Sequence, residues 1–389
     1  MRVLVAFDKF KDSLSSPAAG DLTAEAIRSA HPDWQLDLCP LTDGGEGFCD
    51  ILTRAAGGTV DKISVTGPRC DSVEATLGFV PLENIPPSAR ALLAIQNPKS
   101  EIRKSTVAVI EMATASGLAL LAQDKRDPWQ TTTLGTGELI RAAARPGVAA
   151  ILLGIGGSAT SDLGLGALAA LGWEFRSAAG DDVRPPIPAR WSEITRLAGR
   201  MPAEFPPLRI ACDVTNPLLG PRGAAAIYGP QKGLRPADLA NLDHAAARLA
   251  LMLCTHCGAS DALMDAPGAG AAGGLGFGLM AAAGARLLPG FDLVAAWLDL
   301  APKLAAADLV ITGEGRFDAS SLEGKGPGAV AARALALGKR VHVFAGSVAA
   351  TPRENLTLHA ITPAGTPLAQ ALREAPANLT AAVQRAFSA

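Results

Sequence analysis

An excess of charge of either sign is missing from this sequence. Its 35 Lys and Arg nearly balance 37 Asp and Glu, leaving a net charge of −2 and a pI near 6.2. That balance excludes a general electrostatic pull toward nucleic acid or an acidic membrane. Long hydrophobic runs are missing too, since no stretch approaches the roughly 18 apolar residues that a membrane helix requires. The opening MRVLVAF is read as a short strand entering Asp8 and Lys9, not as a secretory leader, and a cytoplasmic protein is expected. Zinc-type spacing is confined to Cys254 and Cys257, with no second Cys or His pair to complete four ligands. Both fall in a helix expected over 236–256, where Leu239, Leu242, Ala246, Leu249 and Leu253 recur at helical spacing. They are read as small buried hydrophobes, and His244 and His256 as structural or surface residues. The phosphate loop Gly-x4-Gly-Lys-[Ser/Thr], the protein-kinase signature, internal repeats and coiled-coil heptads are all absent.

What is present is a core-forming composition, 49% hydrophobic and 19% charged, with 41 glycines among 389 residues clustered in a few loops. Strands expected at 2–7, 35–40 and 59–65 alternate with helices at 16–31 and 46–56; Ser16 is placed as the N-cap and Pro17 in the first turn. The last hundred residues resume the alternation, with strands at 308–312, 340–345 and 356–362 and helices at 327–337 and 367–387. The fold class is therefore α/β. A discontinuous doubly wound domain over 1–66 and 290–389 is expected to hold a second α/β domain, 67–289, as an insertion. A cleft between two such domains is where a small-molecule site is expected. Residues 81–105 form a Pro-rich stretch of mixed charge.

Five segments that join acids or lysines, most of them with glycines, carry the chemistry. In ILLGIGGSATSD, 151–162, an apolar strand turns through three glycines into a helix. Such a turn aims N–H groups at one spot and suits a phosphate, with Gly154, Gly156, Gly157, Ser158 and Thr160 as contacts and Asp162 as a Mg²⁺ ligand. The competing reading is a tight turn whose glycines serve only positive φ. In DKFKDSL, 8–14, Lys9 and Lys11 can neutralise phosphate or carboxylate and Ser13 offers a hydroxyl, unless both lysines are merely solvated. In PLTDGGEG, 40–47, Asp43 and Glu46 suit a metal or a hydroxyl proton, unless they only cap the next helix. ACDVTNPL, 211–218, with GPQKG, 229–233, supplies Asp213, Asn216 and Lys232. ITGEGRFD, 311–318, with GKG, 324–326, supplies Glu314, Asp318 and Lys325. Of the dinucleotide-type glycine patterns, GAGAAG at 268–273 follows no strand, whereas the run from Gly154 to Ala159 does.

Together the segments DKFKDS, LTDGGEG, IEMATASGL (110–118), TTLGTGELI (132–140), GIGGSAT, ACDVTNP, GPQKG, GAGAAGG and ITGEGR resemble, in order, the type I glycerate kinase family over nearly the whole chain. The resemblance implies ATP-dependent phosphorylation of D-glycerate with Mg²⁺, between a flavodoxin-like domain and an inserted α/β domain. The chain departs from the family pattern where Asp12 and Leu163 replace usual glycines and Ser320 replaces a usual glutamine. Residues 81–105 look longer than the family's hairpin at that place. Asp43, Lys11 and Asp8 are taken as catalytic, with Lys9, Lys325 and the 154–160 turn on the nucleotide. Ser13, Glu46, Asn216 and Lys232 are taken toward substrate, and Asp162, Asp213 and Glu314 toward Mg²⁺. The C2 hydroxyl, beside a gripped carboxylate, is the favoured acceptor, giving 2-phosphoglycerate over the 3-phosphate. An NAD(P)-dependent hydroxyacid dehydrogenase or a non-catalytic glycerate-binding protein are the alternatives.

Overall fold

The computed structural model describes residues 1–95, 105–318, 321 and 326–388. They form two compact units, Met1–Asp43 with Val294–Ala389, and Gly44–Leu293. In the first unit five parallel strands lie in the order Leu356–Ala360, Arg340–Val348, Leu309–Phe317, Arg2–Phe7, Gln35–Leu38. Numbered along the unit's own chain this is the flavodoxin-like arrangement 2-1-3-4-5. Val3, Val5 and Phe7 pack with Ala26 and Ile27 of the helix Ser16–Ala30 and with Leu379 and Val383 of the helix Leu368–Phe387. The alternate residues Leu4 and Ala6 are equally buried, and the helices Leu300–Ala306 and Gly326–Ala336 pack against the same strand. Burial on both faces is why this strand reads as a continuous apolar run.

The cap of the helix Ser16–Ala30 is Ser15, whose side chain accepts from the Ala18 N–H. The expected cap, Ser16, lies one residue too far along. Its hydroxyl is buried and donates to the Phe7 carbonyl at 2.7 Å, tying the helix start to the strand end.

The second unit holds a six-stranded sheet in the order Arg286–Leu288, Leu208–Ala211, Val148–Gly154, Thr106–Glu111, Ser72–Pro81, Thr59–Thr66. The first four are parallel and the last two add antiparallel. This corrects one expectation. The strand at 59–65, assigned to the discontinuous domain, belongs to the other sheet, so the divisions fall at 43/44 and 293/294, not at 66/67 and 289/290. The alternation of strand and helix identifies a strand but not its partner. Here the Gly67 N–H bonds the Asp71 carbonyl at 2.6 Å, and the chain folds straight back to pair Thr66 with Ser72.

The helix Leu239–Cys257 buries Leu242, Ala246, Leu249 and Leu253 and ends at Gly258 with φ +64°, a left-handed position that glycine fills at no steric cost. Of the Pro-rich stretch, a short helix Pro87–Leu93 is seen, while 96–104 lie outside the described residues. Among the described residues no helix is long and apolar enough to cross a membrane.

Candidate active site

In the first unit the strands Arg2–Phe7 and Leu309–Phe317 are neighbours, and the sheet order reverses between them. The crevice beyond the carboxyl ends at such a switch point is where open α/β sheets bind ligands. Phe7 pairs with Gly313, and the Asp8 N–H donates to the Gly313 carbonyl at 3.0 Å. Asp8 and Glu314 therefore emerge side by side. Burial first, then the Asp43 charge, pushes Asp8 up to about 6, against the Lys9 N–H and ammonium. Burial pushes Glu314 up to about 7; the Ser321 hydroxyl opposes this, while Asp8, Asp318 and Asp43 add repulsion. Acids so perturbed at a strand end are apt for proton transfer or for a cation.

Lys9 links Asp8 to Asp43, its N–H on Asp8 Oδ1 at 2.7 Å and its Nζ on Asp43 Oδ1 at 3.2 Å. Lys11 is exposed on the same loop. Ser13, expected to meet substrate, instead donates its hydroxyl proton to the Leu372 carbonyl at 2.6 Å, anchoring the loop to the C-terminal helix. Lys325 and Ser320 lie outside the described residues.

The capping alternative for Asp43 is not realised. The next helix, Phe48–Ala55, starts at Gly47 with no side-chain cap, and the Cys49 N–H takes Glu111 Oε2 at 3.3 Å. Glu46 stays exposed in the turn before it. Glu111 is a buried acid that closes the otherwise apolar strand Thr106–Glu111.

In the second unit the strand Val148–Gly154 leads into the glycine turn. Two of its glycines answer to packing, because a Cβ on Gly156 would lie 2.7 Å from Gly45 Cα and one on Gly154 would lie 2.5 Å from the Gly44 carbonyl oxygen. Gly157 differs, with φ +71° and only Ala113 Cβ near at 3.4 Å. It is exposed, and among the described residues no protein acceptor meets its N–H or that of Ser158. Among the described residues Thr160 Oγ1 is buried without a partner. The GAGAAGG segment supports this turn from below, the Gly273 carbonyl accepting the Leu163 N–H at 3.1 Å.

Asp162 is not placed as a metal ligand. It is fully buried, and its oxygens accept from the Thr133 N–H (2.7 Å), the Thr133 hydroxyl (2.9 Å) and the N–H groups of Gly164 and Gly166 (both 3.2 Å). Burial raises its pKa against these donors, and a cation there would have to displace them. Lys232 is not presented to substrate either. It is 1% exposed, with Nζ on Ser158 Oγ at 3.0 Å and on the Thr160 carbonyl at 2.5 Å. Burial lowers it to about 7, opposed by Asp162. Asp213 accepts the Phe291 N–H at 2.9 Å, at the start of the helix Gly290–Trp297. Asn216 braces its own loop, accepting from the Tyr228 hydroxyl at 2.6 Å and donating to the Arg222 carbonyl at 2.9 Å.

Residues 3–389 match the family model described as the glycerate kinase family. The chain is 37% identical to the glycerate kinase of Bacillus subtilis (strain 168), over 96% of this chain and 94% of that protein. It is 38% identical to the glycerate 2-kinase of Escherichia coli (strain K12), over 90% and 86% respectively. The crystal structure of a putative glycerate kinase 2 from Salmonella typhimurium LT2 superposes with a TM-score of 0.73 at 34% identity, covering 100% of this chain and 97% of that one. With its flavodoxin-like sheet, its ordered motifs and these relatives along its whole length, the chain belongs to the glycerate kinase family of enzymes.

Proposed function

We propose that this chain transfers the γ-phosphoryl group of ATP directly to D-glycerate, in the cytoplasm, with 2-phosphoglycerate favoured as product. The observation that carries the reading is the gathering of Asp8, Asp43 and Glu314 at the switch point of the flavodoxin-like sheet, with Lys9 held on Asp8 and Asp43. Phosphoryl transfer needs in-line positioning and charge neutralisation more than covalent assistance. The half-exposed Asp43 carboxylate orients or deprotonates the attacking hydroxyl, and Lys9 holds it in place. Lys11 offsets anionic charge on the substrate side. In the second unit the N–H groups of Gly157 and Ser158, which no protein acceptor takes among the described residues, take phosphate oxygens.

Among the described residues no set of three side chains stands ready to enclose a metal. Mg²⁺ does not need one, because it keeps several waters and takes one or two carboxylates together with substrate phosphates. Glu314 and Asp8 fit that demand, since their mutual repulsion is relieved by a cation; Asp162 and Asp213 are committed to N–H donors. Bound there, Mg²⁺ would neutralise charge on the phosphate oxygens.

The preference for the C2 hydroxyl follows from a carboxylate held by Lys11 or backbone N–H groups, which fixes the adjacent oxygen while C3 still rotates. It also accords with the E. coli relative being named a glycerate 2-kinase. Coupling the reaction to enolase without phosphoglycerate mutase tests it. Phosphoenolpyruvate should form at the rate of ADP release; formation only after mutase is added would make the product the 3-phosphate. Thermal protection by NAD and not by ATP–Mg²⁺ would instead indicate a dehydrogenase.

A further inference from the structure

Lys232 has no part in the reading above, yet it places its amino group directly behind the glycine turn. It closes the short helical turn Pro230–Lys232, which ends at Gly233 with φ +94°, and its side chain runs inward. An ammonium removed from water is costly unless it is met by acceptors and a countercharge. Ser158 Oγ and the Thr160 carbonyl are the acceptors, and Asp162 supplies the charge. Asp162 is in turn fixed by Thr133, so the arrangement is tied to the start of the helix Leu134–Ala143. Nζ is enclosed by protein and does not present itself to a ligand.

In its protonated form, which its Asp162 neighbour favours, Lys232 can only donate. Ser158 Oγ must therefore accept, and its own proton has to point away from Lys232. Among the described residues no protein acceptor takes that proton, and none takes the N–H groups of Gly157 and Ser158. We infer that Lys232 is a positioning residue that turns the Ser158 hydroxyl outward, so that this O–H and the two N–H groups form one donor set for phosphoryl oxygens. The inference rests on the proposed function for the identity of that anion as ATP. A Lys232 that merely balances Asp162 would leave the Ser158 hydroxyl without consequence.

The test uses the full-length protein with Ser158→Ala, Ser158→Thr, Lys232→Met and the double variant Ser158→Ala/Lys232→Met. ATP affinity is read by calorimetry, and KM for ATP and for D-glycerate by ADP release. Ser158→Ala should weaken ATP binding about tenfold, the size of one hydrogen bond to a charged group, with KM for D-glycerate changed less than about twofold. Ser158→Thr, which keeps the hydroxyl, should restore the affinity. Lys232→Met should cost ATP binding about tenfold alone but less than about threefold on top of Ser158→Ala, since coupled residues are not additive. The inference fails if Ser158→Ala binds ATP normally, if Ser158→Thr does not restore it, or if Lys232→Met costs the same in both backgrounds. Should Lys232→Met not fold, the Ala–Thr comparison at Ser158 still decides. A wild-type protein that binds ATP but phosphorylates no glycerate refutes the proposed function alone, because the calorimetric comparison stands without turnover.

Discussion

Lys9 reaches Asp43 across two neighbouring strand ends, Nζ to Oδ1 at 3.2 Å, with the lysine side chain 20% and the aspartate 51% exposed. An ion pair so open to solvent contributes about 1 kcal/mol or less to stability. Its worth lies in where it holds the carboxylate. Asp43→Asn should therefore lower kcat by about 10²-fold or more, the usual size for loss of a general base, while the melting temperature barely changes. A variant with near wild-type kcat would remove Asp43 from the chemistry.

Glu314 gives a pH-dependent signature in stability. Its carboxyl holds its proton up to about 7, through burial first and the neighbouring acids after it, whereas 4.5 is the ordinary value. Between those values the folded chain keeps a proton that the unfolded chain has shed. Stability must then fall as pH rises from about 4.5 to about 7. Glu314→Gln removes that loss and should gain about 1 kcal/mol on the wild type across the window, allowing for solvent screening at a carboxyl that is not fully enclosed. Urea unfolding in Mg²⁺-free buffer at pH 5 and pH 8 measures it; parallel pH slopes in the two proteins would contradict the assignment.

Gly156 and Gly157 are adjacent and should respond differently. A methyl on Gly156 meets the Gly45 backbone at 2.7 Å, so Gly156→Ala should cost about 2–3 kcal/mol of stability, as overpacking does. Gly157→Val meets little, but the left-handed backbone costs about 1–2 kcal/mol and the side chain crowds the open N–H groups. Calorimetry should show ATP binding weakened much more than glycerate binding. Equal loss of both ligands, with a collapsing melting temperature, would assign Gly157 to folding alone.

Asp12 and Leu163 stand where the family pattern has glycine, and both keep glycine's backbone, with φ +61° and +56°. The chain therefore carries strain at two turns. Asp12 is exposed, so Asp12→Gly should be neutral or stabilising by up to about 1 kcal/mol. Leu163 is 1% exposed in the core, and Leu163→Gly should destabilise by about 2–4 kcal/mol because lost packing exceeds the strain relieved. Chemical unfolding of both variants checks the order; a stabilised Leu163→Gly would reverse it.

The sequence carried the strand–helix alternation of the first unit because Val3, Val5 and Phe7 are buried on one face and Leu4 and Ala6 on the other. It could not carry pairing partners, which is why the strand Thr59–Thr66 was assigned to the wrong sheet. Acids and lysines beside glycines were legible as a class, but not their surroundings. Asp8 and Asp162 look alike in a string, yet one faces other carboxylates and the other is ringed by four hydrogen bonds from Thr133, Gly164 and Gly166. Lys232 was misread for the same reason, since lysine between glycines usually points to solvent.

The division of the chain also has a consequence in time. The strand Arg2–Phe7 pairs with Leu309–Phe317, and the whole of Gly44–Leu293 is synthesised between them. At roughly 5–20 residues per second, about 15–60 s pass after the first strand emerges before its central partner exists. The inserted unit is contiguous and can complete its own sheet during that interval. The N-terminal strands must wait with an unsatisfied edge and an apolar face, the state most open to mispairing. Chaperone dependence of this protein should therefore trace to its first 43 residues during synthesis, even though the finished chain buries Val3–Phe7.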